Sequence, residues 1–151
     1  MSGHTLGCWN FVLSSADRLG DHEMSTTVTH DIRITVRSRF EAAHSDPKAG
    51  RFLFSYRISI TNTGRDTVQL LRRHWYISDS LAPEREVEGP GVIGETPTLE
   101  PNRTFSYSSA SDLRSGFGKM KGTYRMVRKA TGEEFDVTIP EFQLNVPYAS
   151  N

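Results

Sequence analysis

Three glycines at the spacing Gly89-x-Gly91-x-x-Gly94 form the motif whose residue types point most directly to chemistry. Backbone N–H groups of a glycine-rich loop can bind an anion together, and this spacing holds a pyrophosphate where a buried strand precedes it and a helix opens at the last glycine. Neither condition is met here. The preceding residues 84–88 are mostly charged, and two prolines soon afterwards exclude a helix. The sequence therefore predicts a loop between strands and not a dinucleotide-binding fold.

Charged side chains accompany the glycine loop and leave two interpretations open. In one, the loop amides bind a phosphate group, and a basic run in the preceding strand, Arg72, Arg73 and His74, neutralises its charge. Three glutamates flank the loop and would repel a polyphosphate unless a divalent cation such as magnesium lay between them; they are Glu86, Glu88 and Glu95. In the other, the glycines only allow a tight excursion between sheets. We favour the second interpretation, in which the loop is a rigid surface feature for a protein partner.

Arg73 shares the parity of Trp75 along its strand, so its side chain is expected on the core side. A buried guanidinium is costly unless it is paired. We favour a structural pairing over ligand binding, and the candidate partners are Asp79, Asp112 and Asp136. Trp75 itself occupies the place where sandwich domains keep a central tryptophan, and we expect it in the core.

Other patterns of catalysis, metal binding and nucleic-acid binding are missing from the sequence. No serine has the strand–turn–helix setting of a nucleophile, the five histidines lack the spacing of a metal site, and Cys8 is the only cysteine, which fits a reducing cytoplasm. The 18 basic and 18 acidic residues cancel, unlike the charge of a nucleic-acid binder. No apolar run is long enough to span a membrane. We therefore expect a non-catalytic cytoplasmic protein that requires no cofactor and binds neither nucleic acid nor membranes.

A basic stripe is expected on the outer face of one later strand. Its members are Lys119, Lys121, Arg125, Arg128 and Lys129. Such a stripe is usually a solvated face, although an acidic partner could use it.

From residue 30 onward the apolar residues recur with a period of two, which is typical of strands. The apolar parity changes at Leu70–Leu71, which predicts a β-bulge there, because half of the apolar side chains would otherwise face water. Pro140 interrupts the last apolar stripe, so that strand must bulge or lie at an edge. About seven strands separated by turns rich in Gly, Pro and Asn predict an all-β fold, a two-sheet antiparallel sandwich of fibronectin-type-III or immunoglobulin type.

Residues 1–23 differ in character from the rest of the chain. Apolar residues from Trp9 to Ala16 recur at helical spacing, and Gly20 would suit a helix C-cap, so one short helix is possible there. We interpret the segment as a poorly ordered leader or an upstream-start extension that the fold does not need. The β-sandwich domain is expected to span residues 24–151.

Several motifs in a fixed order resemble the ApaG family. They are the segments FSYRISITN at 54–62, VQLLRRHWYI at 68–77, VEGPGVIGE at 87–95, FSYSS at 105–109, GKMKGTY at 118–124 and FDVTIPEF at 135–142. Asn102 departs from the glycine that is usual before one strand of the family, but asparagine also tolerates left-handed turns.

The resemblance covers about residues 28–147 and implies a fibronectin-type-III-like sandwich. Bacterial members of the family are associated by name with dinucleoside-polyphosphate metabolism and with cobalt and magnesium tolerance. Related domains in an F-box protein and a polymerase-interacting protein make protein contacts. The resemblance thus implies a protein-binding module first. The alternative that it leaves open is a binder of pyrophosphate, ATP or a diadenosine polyphosphate, with magnesium or cobalt.

Overall fold

A computed structural model describes residues 23–147. Their fold is built almost entirely of antiparallel strands, which are β1 (Glu23–Thr29), β2 (Ile32–Phe40), β3 (Phe52–Asn62), β4 (Val68–Asp79), β5 (Ala82–Pro90), β6 (Thr98–Leu99), β7 (Thr104–Leu113), β8 (Phe117–Arg128) and β9 (Glu134–Asn145). Helix within this range is limited to two 3₁₀ turns, Ala42–His44 and Pro47–Ala49. None of it has the length and apolar character that a bilayer crossing requires. The helix suggested between residues 9 and 20 lies outside the described residues.

The strands form two sheets, which confirms the predicted antiparallel sandwich. One sheet has the order β1-β2-β3-β7; the other has the order β5-β4-β8-β9, with the two-residue β6 also paired to β4. Alternate residues of each strand point into the space between the sheets, as the period of two predicts. The sequence pattern does not predict β1, whose residues are mostly polar, or the very short β6.

Trp75 lies at the centre of this core, as expected, with only 1% of its surface exposed. Its indole ring packs against Tyr56 at a centroid distance of 5.7 Å and edge-on against Phe142 at 5.9 Å. Gly122 is paired opposite Trp75 on β8, where a Cβ atom would lie 2.1 Å from the His74 carbonyl oxygen. The glycine therefore allows β4 and β8 to approach closely beneath the indole ring.

Both predicted irregularities are present. On β4, the pairing with β8 shifts between Leu70 and Arg72, so that Leu71 is the extra residue of a bulge. On β9, Pro140 and its neighbour Glu141 lie opposite Lys121 of β8, and β9 is also the last strand of its sheet. The proline is thus accommodated by a bulge and an edge position together, since it has no N–H group to donate.

Hydroxyl groups of the first two strands join the free edge of β9 to the opposite sheet. Thr27 Oγ1 donates to the Thr138 carbonyl oxygen at 2.8 Å, and the Thr138 N–H donates to Thr29 Oγ1 at 3.3 Å. Further along, Ser38 Oγ donates to the Gln143 carbonyl oxygen at 3.1 Å. One side of the sandwich is therefore closed by side-chain hydrogen bonds in place of a strand ladder.

Candidate functional site

The glycine motif forms a compact hairpin, residues 89–96, which we call the glycine hairpin. Val92 and Glu95 exchange two backbone hydrogen bonds of 2.8 Å each and close a two-residue turn. Both turn residues have positive φ, 41° at Ile93 and 77° at Gly94, as a type I′ turn requires. The predicted loop between strands is confirmed.

The hairpin is an excursion within one sheet and not between the two sheets. Strand β5 leaves β4 at Pro90, and β6 returns to β4 at Thr98. The gap between them lies opposite the bulge of β4, where the Gly91 N–H donates to the Leu71 carbonyl oxygen at 2.8 Å. Because the bulge residue itself binds the hairpin, the two irregularities form one local structure.

Each of the three glycines meets a different steric need. Gly91 has φ 60°, and a Cβ atom there would lie 2.3 Å from the Glu95 carbonyl oxygen. A Cβ atom at Gly89 would lie 3.4 Å from the Arg73 guanidinium. At Gly94 the positive φ is the only reason for a glycine, since a Cβ atom there would meet nothing within 4 Å. Geometry thus gives a reason for every glycine of the motif without a ligand.

Most N–H groups of the hairpin are already used. Those of Gly91, Val92 and Glu95 donate to backbone carbonyls, whereas within residues 23–147 those of Ile93 and Gly94 have no hydrogen bond. Two adjacent amides at the tip are fewer donors than a phosphate-binding loop normally supplies. The hairpin is therefore a self-contained structure with a small unsatisfied tip.

Arg73 holds the hairpin from the core side. Its Nη1 atom donates to the carbonyl oxygens of Pro90 at 2.8 Å and Gly91 at 3.0 Å. The inward orientation expected from sequence parity is confirmed, because Arg73 shares a small cavity with Tyr56 and Tyr107 of the opposite sheet. The guanidinium thus points at the loop carbonyl oxygens, which accept its hydrogen bonds.

The carboxylates expected to pair with Arg73 are engaged elsewhere, and this expectation is corrected. Asp112 lies 3.6 Å from Arg85 Nη1, and Asp136 lies 2.9 Å from Arg125 Nε on the outer face of its sheet. Asp79 accepts hydrogen bonds from the Arg114 N–H and from Ser115 Oγ. Sequence parity gave the side of the strand on which Arg73 lies, but the nearest acceptors depend on where the hairpin folds.

A small polar cavity of about 60 Å³ lies between Arg73 and the underside of the hairpin. Tyr56, Tyr107 and Ser109 line it from the opposite sheet. Burial raises the pKa of Tyr56 to about 12 and raises the pKa of Tyr107 well above its usual value. The tyrosines are therefore neutral at physiological pH, and the volume suits about two water molecules, at ~30 Å³ each, but not a nucleotide.

The alternation of the strands places these tyrosines inward, but the contact between their hydroxyl groups was not predicted. Tyr107 and Tyr124 occupy inward positions on β7 and β8, and their hydroxyl groups share one hydrogen bond in the core. A buried tyrosine hydroxyl usually needs a partner. Two inward tyrosines on strands of different sheets therefore indicate a polar contact between the sheets.

The other basic residues of the predicted site lie on the opposite face of β4. His74 Nε2 is 2.6 Å from Glu86 Oε2, and His74 Nδ1 is 3.7 Å from Glu88 Oε2. Arg72 is exposed on the same outer face, in a groove of about 300 Å³ that Arg73, His74 and Glu88 also line. The structure thus brings the Arg73 guanidinium to the hairpin carbonyl groups and turns Arg72 and His74 outward, although all three residues line one groove.

The flanking carboxylates do not converge. In the part of the chain that the structure describes, no group of three or more His, Cys, Asp and Glu side chains is arranged to hold a metal ion. Two of the three glutamates face His74 on the outer surface, while Glu95 belongs to the hairpin turn. The donor set for the suggested magnesium or cobalt ion is therefore not assembled by these side chains alone.

Three cations of the expected basic stripe, Lys119, Arg125 and Arg128, form ion pairs with neighbouring acidic residues. Arg125 Nε lies 2.9 Å from Asp136 Oδ1, and Arg128 Nε lies 2.9 Å from Glu133 Oε1. Lys119 Nζ lies 3.8 Å from a carboxylate oxygen of Glu141. The expected five-residue stripe is corrected, because Arg128 lies over the Phe135 ring at 4.6 Å and Lys129 lies beyond the end of β8.

Comparison with known proteins identifies the family. The sequence profile described as the ApaG domain matches residues 42–128. The chain is 48% identical over 128 residues to Protein ApaG of Anaeromyxobacter dehalogenans, covering 85% of this chain and 100% of that protein. It is 45% identical over 125 residues to Protein ApaG of Rhodospirillum centenum, covering 83% of this chain and 95% of that protein.

A solved structure agrees with the sequence matches. The crystal structure of a Bordetella pertussis protein that carries the name ApaA superposes with a TM-score of 0.75 at 40% sequence identity. The match covers 78% of this chain and 94% of the other. Together with the nine-stranded sandwich and its glycine hairpin, these matches show that the chain belongs to the ApaG family.

Proposed function

We propose that this domain is a non-catalytic module that binds a protein partner through the glycine hairpin. The observation that carries the proposal is the backbone conformation of Ile93, a β-branched residue at φ 41°. Positive φ is a genuine outlier for such a residue and costs on the order of 1–3 kcal/mol. Strain of this kind persists where a fixed surface shape is needed, so it favours a recognition role for the hairpin.

The surroundings of Ile93 support a display role. Its side chain is partly buried and packs against the core, while Arg73 and Leu71 bind the hairpin backbone from below. Gly94 and Glu95 are exposed at the tip. A hairpin fixed in this way loses little conformational entropy on binding, which is the advantage of a preorganised interface.

Site-specific photo-crosslinking in cells tests this proposal. A benzophenone side chain at position 95 should form one discrete protein adduct, and the same group at Thr131, in the β8–β9 turn, should not. The matched backbone pair is Gly94→Ala and Gly132→Ala, because both glycines have φ near 77° and nothing within 4 Å of an added Cβ. The adduct should disappear with Gly94→Ala and remain with Gly132→Ala. Adducts of equal intensity at positions 95 and 131 would contradict the proposal.

A second candidate is a phosphate or nucleotide binder. The observation in its favour is that the free N–H groups of Ile93 and Gly94 lie at the tip of a hairpin whose base holds the cationic Arg73. Against it, Arg73 Nη1 is already engaged by two carbonyl groups, and the cavity beneath is small. We therefore place protein binding first.

Calorimetric titration with pyrophosphate, ATP and diadenosine tetraphosphate, each with and without magnesium, separates the two candidates. The protein-binding proposal expects dissociation constants in the millimolar range or no heat. Micromolar binding that Gly94→Ala abolishes and Gly132→Ala retains would establish the phosphate binder instead. Because the two variants have the same positive φ and open surroundings, a difference between them reports the hairpin and not general stability.

A further inference from the structure

The outer face of the β1-β2-β3-β7 sheet carries an unneutralised row of arginines, which we call the arginine face. Arg33 and Arg37 on β2 and Arg57 on β3 are exposed and point away from the core. The positions around them on the four strands carry hydroxyl groups. These are Thr26, Thr35, Ser59, Thr61, Thr104, Ser106 and Ser108.

Two of these arginines lie side by side. Arg37 is the direct cross-strand partner of Arg57, an arrangement in which like charges destabilise a sheet. Within residues 23–147 none of the three arginines forms an ion pair, and Arg57 makes only a 3.4 Å contact with Ser108 Oγ. No outward position of these strands from Met24 to Ala110 is acidic, and the carboxylate of Glu41, just after β2, accepts a hydrogen bond from Ser55 Oγ at one end of the face. The β8 stripe, by contrast, has a carboxylate beside each arginine.

An apolar row runs beside the arginines. Met24 and Val28 on β1 are each 61% exposed, and they are the cross-strand partners of Arg37 and Arg33. Large apolar side chains that are exposed next to unpaired cations do not stabilise the isolated domain. This combination matches a partner surface that offers carboxylates and apolar side chains side by side.

We propose that the arginine face docks an acidic segment of a partner protein in an extended conformation. Arg33 and Arg37 are four residues apart on one strand, about 13 Å, and carboxylates four residues apart on an extended segment have the same spacing. The Arg37–Arg57 pair presents two guanidinium forks to a carboxylate, which is the geometry that arginine supplies best. This inference rests on the proposed binding function, but it concerns a different face from the glycine hairpin.

The same face does not suit nucleic acid. Single-stranded nucleic acid stacks its bases on aromatic side chains, and the arginine face presents none on its strands. Duplex binders neutralise about six to ten phosphates, more than these three arginines and the neighbouring Arg39 can serve. The apolar pair Met24 and Val28 also gives nothing to a phosphate backbone. An acidic peptide uses all of these features.

Fluorescence anisotropy with the full chain tests the inference. The probe is a fluorescein-labelled dodecapeptide of alternating Glu and Thr, and its neutral counterpart alternates Gln and Thr. We expect the Glu probe to bind with a micromolar dissociation constant that weakens with added salt, and the Gln probe to bind at least tenfold more weakly. Arg37→Ala/Arg57→Ala should weaken Glu-probe binding at least tenfold. The charge-matched control is Arg65→Ala/Lys121→Ala, which removes two exposed cations elsewhere and should change binding less than twofold.

The outcomes separate the competing explanations. No binding of the Glu probe, or an equal loss in both double variants, overturns the inference. Tighter binding of a mixed-sequence single-stranded DNA dodecamer or of phosphatidylserine vesicles than of the Glu probe also overturns it, in favour of a nucleic acid or a membrane. Gly94→Ala should leave probe binding unchanged. If the unsubstituted chain binds the Glu probe but forms no adduct at position 95, only the hairpin proposal is refuted, and the reverse result would refute only the arginine face.

Discussion

Arg73 illustrates how the position of one side chain decides which function the glycine hairpin supports. A guanidinium aimed outward past the glycines would attract a phosphate, but Arg73 lies beneath the hairpin and donates to Pro90 and Gly91. Its hydrogen bonds replace those that water would make with the two carbonyl groups. The residue therefore fixes the shape of the hairpin more directly than it attracts an anion.

The glycines differ in what an alanine would cost. At Gly91 the added Cβ would meet the Glu95 carbonyl oxygen at 2.3 Å, and φ is also positive, so we expect Gly91→Ala to lose about 2–4 kcal/mol. At Gly94 and Gly132 only the positive φ matters, and the expected loss is about 1 kcal/mol each. Urea unfolding measures all three. Equal losses at Gly91 and Gly132 would show that the hairpin adjusts to the added methyl group.

The buried tyrosines make stability sensitive to alkaline pH. Burial raises the pKa of Tyr56 to about 12, whereas an unfolded tyrosine titrates near 10. Between these values the unfolded chain releases a proton that the folded chain retains. The contribution of Tyr56 is therefore full below about pH 10 and falls by about 1.4 kcal/mol per pH unit up to about pH 12.

Urea midpoints at a series of pH values from 8 to 11.5 check this expectation. The pKa values of Tyr107 and Tyr124 are raised in the same direction by burial, so the decline should be steeper than one tyrosine gives. Tyr56→Phe should remove one tyrosine's share of the slope. A slope that is unchanged in Tyr56→Phe would mean that Tyr56 titrates normally in the folded protein.

At the scale of the strands, the bulge of β4 was predictable and the hairpin that depends on it was not. Only an extra residue at Leu70–Leu71 allows the apolar side chains before and after this point to face the core on the same side of the strand. The sequence does not predict that the Leu71 carbonyl oxygen accepts a hydrogen bond from the Gly91 N–H, because that contact depends on the path of the chain after β5. Local patterns report burial, whereas long-range contacts require the register of three strands.

The basic surface shows the same limit. The cations of β8 form an obvious run in the sequence, and the structure pairs Arg125 with Asp136 of β9 and Arg128 with Glu133 of the β8–β9 turn. Inward-pointing residues separate the arginines within β2, and more than fifteen residues of the chain separate them from the arginine of β3. Their adjacency therefore appears only in the sheet register. Charge clusters that span strands are therefore harder to identify than those within one strand.

The hydroxyl groups that join β1 to β9 should contribute measurably to stability. Thr27→Val keeps the branched shape but removes the donor to the Thr138 carbonyl oxygen, and we expect a loss of about 0.5–1.5 kcal/mol. Thr26→Val on the outward face of the same strand should change stability by less than about 0.5 kcal/mol. Thermal or urea unfolding compares the two. Equal effects would mean that the bond to β9 is replaced by water at no cost.

At the scale of the whole domain, the sandwich and its family were readable from the sequence because strand alternation and ordered motifs extend over most of the chain. The functional surfaces were readable only in part, since the seven candidate residues fall on two faces of one sheet. Alternation assigns each side chain to a face, but neighbours across strands are set by register. The arginine face is composed entirely of such cross-strand neighbours.

Folding of the domain should be slow for its size. Its strands pair over long sequence separations, for example β3 with β7 in one sheet and β4 with β8 in the other. Sandwiches dominated by such pairings fold in roughly milliseconds to seconds. Stopped-flow circular dichroism after dilution from urea measures the rate, and a main phase that is complete within microseconds would contradict the expectation.

The hydrogen bonds between β1 and β9 also set the order of events during protein synthesis. Thr27 and Thr29 leave the ribosome early, but Thr138, to which both are bonded, is made more than a hundred residues later. Until β9 emerges, β8 has an unpaired edge and the core beneath it is open to water. The nascent domain therefore cannot close gradually from its beginning. The sandwich can close fully only after β9 has been made, and a chain interrupted before β9 would present an unpaired strand edge to chaperones and to other chains.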